Sequence, residues 1–248
     1  MKYINHIIAG FSFIISFIVY AMTMAPTTSF WDCGEFIATS YILGVPHPPG
    51  SPLFLLLGNV FSNMPFLNDI GARVNLISPI VSAFSVMFLY LIIVQLIEEF
   101  NGKSKDTSNL IINNVSAFLA ALTFAITDSH WFNAVEAEVY SLSTFFTAIV
   151  IWMILKWASL SKNYWNIRYL LLIAYMIGLA IGIHILNLLA LPFIGLIIYF
   201  KKYDYSFKGF LLVMVLTLMT FIMIYSGIIL GLPDIISKFN SLYIVIIG

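Results

Sequence analysis

Long apolar runs, each close to the length needed to cross a lipid bilayer, constrain this chain more than any other feature. A spanning helix needs about 20 consecutive apolar residues. Charged residues make up only 9% of the 248-residue chain, against roughly 25% in soluble domains. The pattern therefore predicts an all-α fold, a polytopic transmembrane helical bundle. The predicted spans are residues 5–24, 74–97, 110–127, 140–158, 169–184, 185–200 and 210–231.

The apolar residues at the two ends of the chain raise two questions: whether the first run is a cleaved signal peptide, and whether the chain is part of a longer protein. The first apolar run could be a secretory signal peptide, but it exceeds the roughly 7–15 residues of a signal's apolar core and only Lys2 precedes it. We interpret it as a retained helix. Another apolar stretch, residues 242–248, runs to the C-terminus. We therefore expect residues 1–248 to be the N-terminal part of a larger transmembrane domain, with about seven spans in this part.

The distribution of basic residues predicts the orientation of the bundle. Residues 53–66 are apolar but short and are bracketed by two prolines, so we place them in the interface rather than across the membrane. Short loops rich in Lys and Arg are typically cytoplasmic, which puts the N-terminus inside. Residues 25–72 then form a long first external loop, facing the periplasm or lumen, with interfacial helices at 32–43 and 53–61. The basic residues assigned to the cytoplasmic side are Lys2, Lys103, Lys105, Lys156, Lys162, Arg168, Lys201, Lys202 and Lys208.

Two carboxylates begin the first predicted helix of that external loop. Asp32 and Glu35 are three residues apart, so they share one face of a helix. Such a pair can act as a base with a supporting partner, or can hold a divalent cation. The alternative is purely structural, with Asp32 as the helix N-cap and Glu35 as its capping partner. Cys33, between them, is the single cysteine of the chain, and we interpret it as a small buried residue rather than a nucleophile because no base is paired with it.

Three further residues are candidates for binding a charged ligand. His47, in a His-Pro-Pro-Gly turn, either binds a phosphate or caps the turn, and His184 lies near another external turn. Isolated histidines are often hydrogen-bonded structural residues. Arg73 either clamps a lipid phosphate, for which a planar guanidinium is well suited, or pairs with Asp69 four residues earlier.

A second polar constellation, residues 128–141, falls on the same predicted external face. If the segment is helical, Asn133, Glu136 and Tyr140 form one stripe, while Glu138 lies on another because residues two apart do not share a face. We therefore expect at most one of the two glutamates to point into any one site. The structural alternative is a solvated helix start with acidic residues near its positive end.

These two constellations resemble the signatures of a known family. The chain is similar, from Met1 to about Tyr199, to the protein O-mannosyltransferase-like family of polytopic membrane proteins in the glycosyltransferase-C (GT-C) superfamily. The segments that carry the resemblance are Trp31-Asp32-Cys33-Gly34-Glu35-Phe36-Ile37-Ala38, then Leu43-Gly44-Val45-Pro46-His47-Pro48-Pro49-Gly50-Ser51-Pro52-Leu53, and Trp131-Phe132-Asn133-Ala134-Val135-Glu136-Ala137-Glu138-Val139-Tyr140-Ser141-Leu142.

The resemblance implies a GT-C fold and an inverting glycosyltransferase. The expected partners are membrane lipids, a polyprenyl-phosphate sugar donor, with mannose as the expected hexose, and a protein or glycan acceptor. By position, Asp32 is expected to be the base and Glu35 its partner. The donor phosphate is assigned to His47, Arg73 and His184, and the acceptor to Asn133, Glu136, Glu138 and Tyr140. The resemblance leaves a cofactor open, because some members of the superfamily need a metal and others do not, and Asp32 and Glu35 could hold a divalent cation. No basic patch suggests nucleic acid.

A membrane transporter or a flippase for lipid-linked glycans is the alternative from another class. Transporters place ionisable residues near the membrane centre and often contain internal repeats. Here the acids cluster at one predicted face and no repeat is visible. A non-catalytic membrane scaffold is a third reading, and it predicts that Asp32 and Glu35 can be neutralised without effect. The two sequence signatures favour the enzyme.

Overall fold

The computed structural model describes residues 3–48, 50–102, 106–160 and 167–247, with side chains up to Phe239. Within those residues the chain is helical, joined by turns. A 3₁₀ turn, Ile185–Leu189, precedes α10, and a π-helical stretch, Met223–Gly231, joins α11 to α12. The helices are α1 (Ile4–Thr23), α2 (Cys33–Ile42), α3 (Pro52–Asn63), α4 (Ile70–Asn75), α5 (Ile77–Asn101), α6 (Thr107–Ala125), α7 (Asp128–Ala134), α8 (Val139–Ser159), α9 (Ile167–Ile181), α10 (Ala190–Lys202), α11 (Phe207–Ile222) and α12 (Leu232–Ile247).

The described part of the chain has six helical segments long and apolar enough to cross a membrane, which confirms an all-α polytopic bundle. Seven spans were predicted. The difference lies at 169–184, where α9 has only 15 residues, or roughly 22 Å at 1.5 Å per residue, short of a hydrocarbon core of about 30 Å. The six segments are Ile4–Thr23, Ile70–Asn101, Thr107–Ala125, Val139–Ser159, Ile185–Lys202 and Phe207–Phe239.

Residues Met1–Asn187 form one compact unit, organised around α5. α5 packs against α1, α6 and α8. Its packing surfaces include small buried residues, Ser78, Ser82, Ala83 and Ser85, which let neighbouring helices approach closely. The Tyr20 hydroxyl of α1 donates to the Ala125 carbonyl at the end of α6 at 2.8 Å.

The segment between α1 and α5 is folded, and its two predicted helices are confirmed as α2 and α3. α2 ends at Ile42, and the left-handed φ of 50° at its C-cap residue, Leu43, turns the chain. The Asn59 amide of α3 donates to the carbonyls of Ser40 and Tyr41, at 3.0 and 3.1 Å. α3 starts with Pro52 in its first turn, where a missing N–H costs nothing. The segment is thus held in one arrangement above the start of α5.

Residues Leu188–Gly248 form a second compact unit. In it, α10 packs against α11, and the side chain of Tyr199 accepts a hydrogen bond from the Ser206 N–H at 2.8 Å across the turn between them. The described side chains of α11 are all at least partly exposed, as expected of a surface that meets lipid. An apolar groove in this unit is lined by Leu189, Pro192, Leu211, Met214, Val215, Leu218 and Phe221.

Candidate active site

Glu35 and His47 form a close pair at the start of α2. The Oε2 atom of Glu35 lies 2.7 Å from Nδ1 of His47, and Oε1 accepts a hydrogen bond from the backbone N–H of His47 at 2.7 Å. The other ring nitrogen of His47, Nε2, lies 3.9 Å from Oδ2 of Asp32. The imidazole is therefore oriented by one carboxylate and faces the other.

The structural alternative for Asp32 and Glu35, a reciprocal helix cap, is wrong. Asp32 occupies the N-cap position of α2 but its side chain accepts no capping hydrogen bond. Glu35 is turned toward His47 instead of back toward the N-cap. Asp32 is also largely exposed, with 56% of its side chain accessible. Its carboxylate is therefore accessible from solvent.

Each member of the close pair changes the protonation of the other. The hydrogen bond from His47 lowers the pKa of the Glu35 carboxyl. The hydrogen bond to Glu35 raises the pKa of the His47 imidazole, partly opposed by desolvation, and the charges of Glu35, Asp32 and Glu138 raise it further. The contact thus favours the protonated imidazole and the ionised carboxylate, and it holds the His47 ring beside Asp32.

The turn that carries His47 depends on local backbone geometry. After the left-handed Leu43, the N–H of Gly44 returns to the Thr39 carbonyl at 2.8 Å. Prolines 46 and 48 then prevent the helix from continuing. The N–H of Gly50 closes the turn on the His47 carbonyl at 3.0 Å, with a φ of 72° that favours glycine.

The second constellation is not one helix, so the predicted stripes of Asn133, Glu136 and Tyr140 on one face and Glu138 on another are wrong. α7 ends at Ala134, and residues 135–138 form a turn before α8. Backbone groups of this turn bond to other segments: the Val135 carbonyl accepts from the Ala25 N–H at 2.8 Å, and the Ala137 N–H donates to the Asn75 side chain at 2.9 Å. The helical ladder is interrupted for that reason.

Because of this turn, both glutamates are buried and belong to the same electrostatic neighbourhood. Glu136 is 1% exposed and Glu138 is 6% exposed. Burial raises the pKa of Glu138 to about 7, helped by the charges of Asp32 and Glu136 and opposed by a hydrogen bond from the Val139 N–H. With this pKa, Glu138 can carry a proton near neutral pH. The expectation that at most one glutamate points into any one site stays a prediction.

Glu136 is the more deeply buried of the two. Burial raises its pKa, and a hydrogen bond with the Ser29 side chain partly offsets this. Its Oε1 atom has no hydrogen-bond partner among the described residues. A buried carboxyl oxygen without a partner is costly, and this cost raises the pKa of Glu136 in the same direction as burial.

Two other predicted residues, Tyr140 and His184, lie side by side. Their ring centroids are 5.2 Å apart. His184 follows α9 in a turn bound to the start of α3, because the Ser51 hydroxyl donates to the Ile183 carbonyl and the Leu53 N–H to the Gly182 carbonyl, each at 2.9 Å. Burial lowers the pKa of His184. The turn is therefore attached to the segment that follows His47.

Asn133 and Arg73 are engaged in local structure. The Asn133 amide donates to the Ser129 carbonyl one turn earlier, at 2.7 Å. The Arg73 guanidinium donates to the carbonyls of Leu67 and Ser62, at 2.6 and 2.9 Å. Its predicted pairing with Asp69 is wrong, because Asp69 caps α4 by accepting the Ala72 N–H at 2.9 Å. Roles of these residues toward substrates stay predictions.

Asp32 and its two neighbours, Glu35 and His47, also have the chemistry of a cation site. Asp32, Glu35 and His47 each offer one ligand atom, and these atoms lie within 4.8 Å of one another. Carboxylate oxygens and imidazole nitrogen suit several divalent metals. The same three groups are already satisfied in part by the contact between Glu35 and His47, so a cation here stays a prediction.

Sequence reasoning missed Asn75, the last residue of α4. It is fully buried, and its side chain contacts segments from both constellations. The sequence did contain one indication of its role: Asn75 is an isolated polar residue at the edge of an apolar run. Cys33, predicted to be a buried filler, is 0% exposed, and its Sγ lies 3.6 Å from Oδ1 of Asn75. Burial raises the pKa of the Cys33 thiol.

Comparison with known proteins shows which proteins this chain is similar to in sequence. Residues 32–206 match the family described as "Protein O-mannosyl-transferase TMEM260 N-terminal domain". The chain is 30% identical over 195 residues to protein O-mannosyl-transferase tmem260 of Dictyostelium discoideum, covering 73% of this chain and 22% of that protein. It is 28% identical over 133 residues to protein O-mannosyl-transferase TMEM260 of Mus musculus, covering 54% of this chain and 17% of that protein. No solved structure matches.

Proposed function

This chain belongs to the TMEM260 N-terminal domain family of protein O-mannosyl-transferases, and on that basis we propose that it carries the site of an inverting glycosyltransferase. The reaction moves a hexose, mannose by analogy with the relatives' names, from a polyprenyl-phosphate donor to a Ser/Thr hydroxyl of a protein. The chain spans about a fifth of the length of the curated relatives it matches. The matched region, residues 32–206, contains both acidic constellations.

Asp32 is proposed as the general base. Its carboxylate accepts the proton of the acceptor hydroxyl while that oxygen attacks C1 of the sugar. The bond from C1 to the phosphate oxygen breaks, and the polyprenyl phosphate leaves with the bonding electrons. The observation that carries this assignment is the different environment of the two acids. Glu35 is bound to His47, whereas Asp32 is exposed and its side chain accepts no capping hydrogen bond.

The remaining site residues have roles that follow from their charge. The imidazolium of His47, oriented by Glu35, is proposed to offset the negative charge that develops on the leaving phosphate. His184 and Arg73 are proposed to assist at the donor. Glu138, with its raised pKa, is proposed to stay protonated and to offer a donor to the acceptor rather than a second negative charge. Asn133, Glu136 and Tyr140 are proposed to line the acceptor side.

The proposed site faces the periplasm or lumen, and the N-terminus is cytoplasmic. The support is the bias of Lys and Arg toward the opposite loops. Lys2, Lys103, Lys105 and Lys162 contribute to that bias and lie outside the described residues. A donor with a long isoprenoid tail would reach a site at the membrane interface without leaving the bilayer.

The test compares the whole protein and its variants in membranes, with polyprenyl-phosphate mannose and a Ser/Thr-containing acceptor. Asp32→Asn is expected to lower transfer by about 10²–10⁴-fold, the usual contribution of a general base, with unchanged folding because Asp32 caps nothing. Asp128→Asn, at an exposed acid of α7, is the matched control and should transfer normally. Normal turnover by Asp32→Asn would rule out the base assignment. Absence of transfer by the folded wild type would direct attention to other lipid-linked sugars and then to transport.

A further inference from the structure

We propose that Asn75 is a positioning residue that sets the distance between the two acidic constellations of the candidate site. This inference rests on the proposed function. Asn75 is uncharged, 0% exposed and outside both sequence signatures. It ends α4, at the head of the long segment formed by α4 and α5. It touches no substrate-facing carboxylate itself and acts through the backbone that carries them.

All four hydrogen-bonding positions of the Asn75 side chain are used. Its Nδ2 group donates to the carbonyls of Ala25 and Thr27, both at 2.8 Å. Its Oδ1 atom accepts from the Ala137 N–H at 2.9 Å and lies 3.6 Å from the Cys33 thiol. A primary amide has two N–H groups and two acceptor lone pairs, so no bonding position is spare. The amide orientation is also defined, because the reverse would place N–H groups against the Ala137 N–H.

One oxygen atom therefore links the two constellations. Cys33 directly follows Asp32, and Ala137 lies between Glu136 and Glu138. These acids are about a hundred residues apart along the chain, and Oδ1 of Asn75 contacts the neighbours of both groups. A displacement of about 1 Å in a catalytic group can cost about 10²-fold in rate. Loosening this link should therefore lower the turnover rate.

The same segments are also held by contacts that do not involve Asn75. The Ala25 N–H donates to the Val135 carbonyl at 2.8 Å. The apolar cluster around Cys33 further includes Phe36, Phe54 and Val139. Removal of the amide should therefore leave the bundle folded while allowing the constellations to shift. This separation between folding and positioning makes the proposal testable.

Asn75→Ala removes the link, whereas the isosteric Asn75→Asp disturbs only the side of it that Nδ2 holds. Alanine leaves the partners unsatisfied, whereas aspartate keeps an acceptor for Ala137 but directs carboxylate oxygens at the Ala25 and Thr27 carbonyls. Asn114→Ala is the matched control. Asn114 is also buried, at 3% exposed, and bonds the Tyr90 hydroxyl and the Leu110 carbonyl in α6. Asn75→Ser provides a milder change if the first two variants fold poorly.

The first readout needs no activity. Cys33 is the single cysteine of this chain and is buried, so the rate at which a maleimide alkylates Cys33 itself reports local opening beside Asp32. We expect the Asn75 variants to label at least about tenfold faster than the wild type, the effect of losing one or more buried hydrogen bonds. Asn114→Ala should label at the wild-type rate. Unchanged labelling in all Asn75 variants would overturn the link, whether or not the protein transfers sugar.

The second readout is steady-state transfer with the same donor and acceptor. We expect kcat to fall by about 10²-fold in Asn75→Ala, with KM for the donor changed by less than about threefold because the donor residues are untouched. Asn114→Ala should keep kcat. Equal losses in Asn114→Ala, or a wild-type kcat in rapidly labelled Asn75 variants, would overturn the positioning role. A wild type that labels as expected but does not transfer would instead contradict the proposed function.

Discussion

At the scale of single residues, Glu35 and Glu138 of the candidate site lie in opposite electrostatic environments. A hydrogen bond from His47 lowers the pKa of Glu35, whereas burial raises the pKa of Glu138 to about 7. Pairs of acids whose pKa values are pushed apart commonly divide the roles of charged and protonated group. In this molecule Glu35 orients the His47 imidazole, and Glu138 is buried and influenced by the charge of Asp32. Replacements of the two should therefore have different effects.

Glu35→Gln is predicted to shift the pH dependence of transfer. The hydrogen bond to Glu35 is the largest cause of the raised pKa of His47, so its loss should let that pKa fall. The imidazolium is present only below the pKa of His47, and the alkaline side of the pH profile should therefore move to lower pH. The measurement is kcat/KM against pH. An unmoved alkaline limb would contradict a role for the His47 charge.

At the scale of secondary structure, the packing of α2 on α3 places both predicted interfacial helices. Gly58 of α3 faces Ser40 of α2 so closely that an added Cβ would lie 2.7 Å from the Ser40 Cβ. Ser40 and Gly58 are both buried. The close approach holds the C-terminal end of α2 and the turn that carries His47. A glycine is needed at position 58 for lack of space, not for its backbone freedom.

Gly58→Ala is predicted to destabilise the protein by about 1–3 kcal/mol, the usual cost of overpacking a filled interface. Gly10→Ala in α1 is the matched control, because an added Cβ there meets nothing within 4 Å. That control should be neutral or stabilising by about 0.5–1 kcal/mol, since alanine favours helix over glycine. Thermal unfolding in detergent compares the two. Equal stabilities would show that α2 and α3 can separate without cost.

At the scale of the whole molecule, one long apolar segment has the candidate site at its N-terminal end. Ile70–Asn101 has 32 residues, and α5 alone, with 25 residues, is roughly 37 Å long at 1.5 Å per residue. Its N-terminal end carries Asn75 beneath the acidic constellations, and its C-terminal end lies at Asn101. A segment of this length and composition can cross a bilayer, and its two ends are then on opposite sides.

Single introduced cysteines at the two ends are predicted to distinguish the sides. Asn68→Cys, just before α4, should react with a membrane-impermeant maleimide added to intact cells. Asn101→Cys, at the end of α5, should react only after permeabilisation. Both positions are exposed, and the native Cys33 is buried and should give little background. The reverse labelling pattern would invert the proposed orientation and place the site in the cytoplasm.

The sequence by itself determined the features that depend on local composition. Apolar runs predict spans because transfer into lipid depends on each segment's own side chains, and they located most of the membrane-spanning helices correctly. Prolines and the spacing of Asp32 and Glu35 likewise predicted α2, α3 and an acidic helix start. The ends of α2 differ from the prediction by one residue each. Such features require no knowledge of distant partners.

Only the tertiary structure decided how the site's polar groups are shared. The break at residues 135–138 follows from bonds to Ala25 and Asn75, which lie at least 62 residues away along the chain. Likewise Glu35 turns from a helix cap to His47 because the chain reverses at Leu43, and Arg73 turns from Asp69 to backbone carbonyls. A polar group takes the partner that folding brings nearest, since a buried group left unpaired is costly. Local sequence cannot specify that partner when it comes from another helix.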